Sequence, residues 1–348
     1  MLRMEGSVRI PARTFAAGGV VAARFLPVWL ATGVLAIVAA FIAPNALKNT
    51  SWTGFVLPYA TVLAVAALGQ MLVIMNAGID LSTAGVMALG GNLIAGICAG
   101  SNHNLALALV ACLGFGALIG CVNGVFVGVL RLNPLIVTLA VGQMVLAWST
   151  KYSREHVAGH HSEVPQALSS WVLQKPLGIG YVFWTGAGLT LVVAFLLRYT
   201  AAGRRFQAVG ANPRAAWMAG LHVRTHVVFA YTAAGFLYGC AAVLFAGVRI
   251  NIDPAFGADY LILPIAAVVI AGASLSGGLA SATSTWMAAL ALTLLPHMLR
   301  ILGRPPAEQY IYYGAAILVG MLISGDRIAT GLGRVLRPIE ARSTARLE

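Results

Sequence analysis

The chain has 348 residues, of which 59% are hydrophobic and only 9% charged, against about 25% charge in soluble domains. So few charges cannot clothe a water-facing surface, so apolar side chains must face lipid or one another, which excludes a soluble enzyme, a coiled coil, a collagen-like chain and a disordered chain. The net charge of +12 then speaks of orientation in a membrane rather than of a nucleic-acid partner.

A helix needs roughly 20 mainly apolar residues to cross the hydrocarbon core. Ten runs of about that kind, bounded by Gly, Pro and charge, fall at 26–43, 53–76, 81–99, 105–130, 134–150, 180–198, 226–248, 260–275, 279–297 and 309–325. The expected fold is an all-α integral membrane protein of about ten transmembrane helices. The first run ends at Pro44-Asn45 without a small-residue cleavage site and is read as an uncleaved span. Only Ala77-Gly78-Ile79-Asp80 separates the second run from the third, and Pro264 opens the short eighth, so both regions read as broken or re-entrant helices. A basic tail at 1–25, one polytopic membrane domain at 26–326 and a second basic tail at 327–348 make up the chain. The loops 151–179 and 199–225 are too short to hold cores of their own.

With ten spans, one side carries fifteen basic residues: four in the first tail, Arg131, five from Arg198 to Arg224, and five in the last tail. The other side carries seven. The positive-inside rule places both termini and 199–225 in the cytoplasm and 151–179 outside.

Chemistry is sparse. There is no GxxxxGK[ST] phosphate loop, no HExxH, no GxSxG and no carboxylate pair at helical spacing, so no catalytic residue is assigned. His156, His160, His161 and Glu163 form the one group able to hold a metal; lacking a second ligand pair they read as a solvated loop, and no metal site is assigned. Cys98, Cys112, Cys121 and Cys240 lie inside apolar runs and read as small hydrophobes.

Three features stand out. Gly116, Gly120, Gly124 and Gly128 recur every fourth residue and mark one helix stripe for close packing. Asp80, followed by Ser82 and Thr83, is an acid at membrane depth, where insertion costs about 2.5–3.5 kcal/mol. It either caps the next helix or lines a polar path, and the two are compatible. The same choice between interhelical bond and path holds for Asn76, Ser82, Asn92, Asn123, Asn133, Thr138 and Gln143. In the 199–225 loop, Asn212 suits an N-cap, Pro213 the first helical position and Gly220 the position after the last turn. They enclose a short helix whose Trp217 and Met218 call for a protein partner or a membrane surface.

Together these motifs resemble the permease subunits of bacterial ABC importers of the ribose type, over about residues 55–325. The likeness rests on Gly78-Ile79-Asp80-Leu81-Ser82; on Asn123-Gly124 leading to Asn133-Pro134-Leu135-Ile136-Val137-Thr138-Leu139; on Ala208-Val209-Gly210-Ala211-Asn212 with Ala215-Ala216 and Gly220; and on Ile265-Ala266-Ala267-Val268 leading to Gly272-Ala273-Ser274-Leu275-Ser276-Gly277-Gly278. The resemblance implies import of a monosaccharide or similar small polar solute across the bacterial inner membrane. It implies two ABC ATPase subunits docked at Arg204, Arg205, Asn212, Pro213, Trp217, Met218 and Gly220, a second permease subunit in a homo- or heterodimer, and a periplasmic solute-binding protein. ATP and Mg belong to the ATPase, and this chain needs no cofactor. Leu261 and Leu263 stand where relatives usually carry acids, Leu279 where a base is frequent, and Leu135 where Phe is usual. The other reading, an ion-coupled secondary transporter, needs intramembrane acids beyond Asp80, and the spans hold almost none.

Overall fold

A computed structural model describes residues 14–305 except 158–162 and 254–255, together with 308, 311–312, 314–315 and 318, and describes side chains from residue 24. The described residues form helices α1 (Thr14–Ile42), α2 (Asn49–Ile74), α3 (Thr83–Cys98), α4 (Leu105–Val129), α5 (Pro134–His156), α6 (Gln166–Leu173), α7 (Tyr181–Tyr199), α8 (Ala201–Ala211), α9 (Pro213–Met218), α10 (Val223–Arg249), α11 (Leu263–Ile270) and α12 (Ala282–Ile301). No named strand occurs among them; Glu163 and Asn251 form an isolated bridge.

Six of these helices are long and apolar enough to cross a membrane: α1, α2, α4, α5, α7 and α10. The shortfall from ten runs has local causes. α3 is a 16-residue helix because the chain stays non-helical until Ser82, and α11 has only eight residues because Gly272, at φ +91°, turns the chain away. α12 is 20 residues long but carries Ser284, Thr285, Thr293, His297 and Arg300. The run at 309–325 falls largely outside the described residues.

The centre of the bundle is α2. Within its most apolar stretch 94% of the residues are buried, against 17% in α1 and 22% in α7. Small side chains at Ala60, Thr61, Ala64, Ala67 and Gly69 let neighbours close in from every side, a packing gain that lipid tails cannot match. α10 packs most extensively on α4 and next on α2. α1 is held to the outside by Trp29, whose indole N–H donates to Ser284 Oγ at 3.2 Å, and by Arg24, whose Nε donates to the Gly272 carbonyl at 2.7 Å.

Because α7 joins them, 163–179 and 199–225 lie at opposite ends of that helix. At the first end the Val164 N–H donates to the Ile250 carbonyl at 2.7 Å, Asn102 accepts from the Ala167 N–H at 2.9 Å, and Lys175 donates to Thr53 at 3.1 Å. The α6 segment is thereby tied to three other parts of the chain.

Candidate functional site

The break between α2 and α3 is built from polar groups with almost no access to solvent. α2 ends at Ile74, and Ala77 takes a left-handed turn at φ 56°. One oxygen of the Asp80 carboxylate accepts from the Ser82 N–H at 2.8 Å and from Ser82 Oγ at 2.6 Å. Asn123, on α4, donates to Ser82 Oγ at 2.9 Å. Thr138, on α5, accepts from the Leu81 N–H at 2.9 Å and donates to the Ile79 carbonyl at 3.3 Å. Gln70, on α2, has its amide assigned so that it donates to the Asp80 carbonyl at 3.0 Å and accepts from the Asp80 N–H at 3.2 Å, leaving a second N–H for the Tyr238 hydroxyl at 3.0 Å. Gln70, Asp80, Ser82, Asn123, Thr138 and Tyr238 are all buried. Two helices, α2 and α5, thus supply hydrogen bonds that the unwound backbone needs at this depth, while α4 and α10 brace them through Ser82 and Gln70. The capping expectation for Asp80 is corrected in detail. The helix N-cap is Ser82, and Asp80 takes the N–H just ahead of the helix because the chain stays irregular from Gly78 to Ser82 before α3 begins.

Beside this knot runs the glycine stripe of α4, which faces α10. A methyl group added at Gly116 would stand 2.5 Å from the Gly235 carbonyl oxygen, one at Gly124 2.8 Å from the Val228 Cα, and one at Gly128 3.0 Å from the Arg224 carbonyl oxygen. At Gly120 it would collide with the Tyr231 carbonyl. The two helices therefore meet backbone to backbone. That contact fixes the register of α10 and sets the Tyr231 hydroxyl against Gly78 in the break.

The end of α2 is also a junction of three segments far apart in sequence. The Gly278 N–H donates to the Met75 carbonyl at 2.8 Å. A side chain at Gly210, near the end of α8, would strike that same carbonyl and come within 3.1 Å of the Gly278 N. Gly277 and Gly278, at φ +93° and +85°, turn the loop before α12 tightly enough for Gly278 to seat on Ala211. The motifs around Gly78, Gly210 and Gly277-Gly278, read one by one along the chain, converge here. α9 follows at once. Asn212 accepts from the Ala215 N–H at 3.0 Å, Pro213 opens the helix, and Gly220 leaves it at φ +81°. Trp217 and Met218 project outward, 72% and 76% exposed, and Arg204 and Arg205 are exposed on α8.

The other candidate residues do not join this cluster. Asn92 donates to Ser149 at 2.9 Å, linking α3 to α5 farther along both helices. Asn133 caps α5 through the Leu135 N–H at 3.0 Å and is exposed, as is Gln143 on the outward side of α5. Asn76 is half-buried at the end of α2, its Nδ2 donating to the Leu72 carbonyl at 3.2 Å. His156 stacks on Tyr152 at 4.5 Å, whereas His160 and His161 lie outside the described residues. Among the described residues no three potential ligands come together to hold a metal ion. Sequence reasoning missed α8, Gln70, Met75, Tyr231 and Tyr238. Gln70 could have been found as an amide inside an apolar run, whereas a tyrosine or methionine in such a run carries no comparable signal.

The break, the junction and the short exposed helix occur in a segment with known relatives. Residues 52–323 match the family described as the permease component of the branched-chain amino acid transport system. The chain belongs to that family. Similar proteins include the ribose import permease protein RbsC of Escherichia coli strain K12, 30% identical over 295 residues that cover 84% of this chain and 91% of that one. The fructose import permease protein FrcC of Rhizobium meliloti is 31% identical over 273 residues, 77% of this chain and 76% of its own. The L-arabinose ABC transporter permease protein AraH of Azospirillum brasilense is 29% identical over 296 residues, 84% of this chain and 85% of its own. No solved structure gives a significant match. Family membership and six apolar helices of spanning length make the chain an integral membrane permease component.

Proposed function

We propose that this chain is the transmembrane half of a bacterial ABC importer and carries a monosaccharide or similar small hydroxylated solute inward across the inner membrane. Support for a sugar comes from relatives named for ribose, fructose and L-arabinose import, although the family description names branched-chain amino acids. In this reading the bundle has about ten spans, and both termini and 199–225 face the cytoplasm. Two ATPase subunits dock on α8 and α9, a second permease subunit completes the membrane part, and a periplasmic binding protein delivers the solute.

The observation that carries the mechanism is the junction at Met75. Gly210 and Ala211, at the end of α8 and just ahead of α9, lie on the carbonyl end of α2 and on Gly278 with nothing larger than the Ala211 methyl at the contact. A push on the exposed face of α9 at Trp217 and Met218 therefore reaches the break at 75–82 through rigid backbone contact rather than through a flexible loop. The bonds of Asp80, Ser82, Asn123 and Thr138 make the break move as one piece, which suits a two-position switch driven by ATPase closure.

The test is uptake in vesicles that contain this chain with its ATPase. ATP should drive uptake, and a protonophore should leave it intact. Asn212→Ala removes a cap worth about 0.5–2 kcal/mol. Trp217→Ala removes an exposed aromatic of a kind that often anchors interfaces. Both changes should cut ATPase pull-down while the chain still inserts. Uptake that survives removal of the ATPase and collapses with a protonophore would replace the proposal with an ion-coupled transporter. A cysteine placed at Ala211 should resist an impermeant thiol reagent applied outside, and one at Gln166 should react, on a background without native cysteines; the reverse pattern would invert the orientation.

A further inference from the structure

Between α9 and the break lies a cavity of about 840 Å³. Its exposed rim includes Arg131, Arg214 and Arg224, and among the described residues no Asp or Glu lines it. None of the three arginines makes an ion pair among the described residues. Its buried end is formed by Gly78, Tyr231 and Asn76. The Tyr231 side chain is fully buried and Asn76 half-buried, and among the described residues neither the Tyr231 hydroxyl nor the Asn76 Oδ1, both almost without access to solvent, has a hydrogen-bond partner. A buried donor and a buried acceptor left open are unfavourable unless something else meets them. Arg131 moreover holds a left-handed backbone at φ 58°, which L side chains rarely adopt and which turns the loop between α4 and α5 at the cavity.

The two ends ask for different chemistry on one ligand. Three unpaired guanidinium groups suit a phosphate, which accepts several charge-assisted bonds at once. The inner Tyr231 hydroxyl and Asn76 carbonyl suit an alcohol, which can accept from the first and donate to the second. We infer that this cavity binds a phosphomonoester of a small polyol, with its phosphate toward Arg131, Arg214 and Arg224 and its hydroxyls toward Tyr231 and Asn76. Pro213, Trp217 and Gly220 of the α9 segment form one wall and Asn76 and Gly78 of the break another, so an occupant stands between the two parts that must move together. Binding then holds the permease still. Taken with the proposed direction of transport, on which this consequence rests, the cavity lets a phosphorylated form of the imported solute slow its own further import.

The probe is D-ribose 5-phosphate, titrated calorimetrically against the full-length chain in phosphatidylcholine nanodiscs, with ribose and inorganic phosphate as comparisons. The sugar phosphate should bind at least about tenfold more tightly than either fragment, as expected when charge-assisted and neutral bonds add on one ligand. Arg131→Gln and Arg224→Gln should each weaken it about tenfold, and Arg131→Lys should restore part of the loss. Tyr231→Phe should weaken the sugar phosphate severalfold without changing inorganic phosphate, a split that general unfolding does not produce. Equal binding of ribose, or equal binding of inorganic phosphate, would overturn the assignment. So would loss of binding when phosphatidylglycerol is added, which would make a lipid headgroup the occupant, or Arg→Gln variants that lose only ATPase association. In vesicles with the ATPase, the probe sealed on the side bearing α9 should lower ATP-driven uptake severalfold, and Arg131→Gln should abolish that sensitivity. ATP-driven uptake that ignores the probe overturns the inference and leaves the permease reading standing; absence of ATP-driven uptake breaks the permease reading itself.

Discussion

Two regions share α4 and α10 and are held by opposite means. In the seam, Gly116, Gly120 and Gly124 bring α4 against the backbone of α10 without a side chain between them. In the knot, Asn123 of the same α4 reaches Ser82 and completes a network around unwound chain. The seam gains dispersion energy that depends on the absence of atoms, so it tolerates no addition. The knot depends on the presence of particular donors and acceptors, so it tolerates no deletion. Tyr231 belongs to both, its carbonyl lying over Gly120 and its hydroxyl against Gly78. The contrast teaches that the break is positioned by a rigid wall of backbone and shaped by side-chain bonds, two jobs that separate variants can attack.

The largest effect should come from filling the seam. Gly120→Leu should cost about 3 kcal/mol or more, because the new side chain meets backbone that cannot turn aside. Gly114→Leu on the same helix, where nothing lies within 4 Å, should cost little. Thermal unfolding in detergent micelles measures both, and equal losses would erase the seam as a distinct element. Next comes deletion in the knot. Ser82→Ala strips a partner from Asp80 and from Asn123 and should cost about 1–3 kcal/mol. Asp80→Asn keeps an oxygen for the Ser82 N–H and should cost less than Ser82→Ala in the same assay; a larger loss would show that the carboxylate itself holds the break. The smallest change should be Asn92→Leu, which removes one interhelical bond to Ser149 and should cost about 0.6 kcal/mol, the typical worth of such a bond in a membrane bundle.

Much of the local structure was legible because its causes are local. Asn212-Pro213 and Asn133-Pro134 each open a helix, with the Asn side chain accepting an N–H two or three residues on, and Gly220 ends the first of them at a positive φ. The stripe of four glycines likewise has one physical use inside an apolar helix. α8 was not legible, since its polar face and its Thr200 cap, which accepts from the Gly203 N–H at 3.0 Å, resemble an ordinary charged loop. Nor could the convergence of Gly210, Met75 and Gly278 be read, because nothing in three separate segments encodes which carbonyl their glycines are reserved for.

Residue order alone is enough to show that this chain lives in a membrane, where its longest apolar helices run and that Asn133 and Asn212 cap two helices, because lipid demands apolar length and backbone demands a partner for every N–H. Tertiary structure decided which way each helix turns. Thr138 and Gln143 lie in one run of α5, yet the first is buried in the knot and the second faces outward. α1 is more apolar than α2, yet α2 is the buried centre and α1 the rim. Lipid tails are as apolar as a protein interior, so hydrophobicity places a helix in the bilayer without saying whether its neighbours are lipids or other helices; only the fit of small residues against a particular partner settles that.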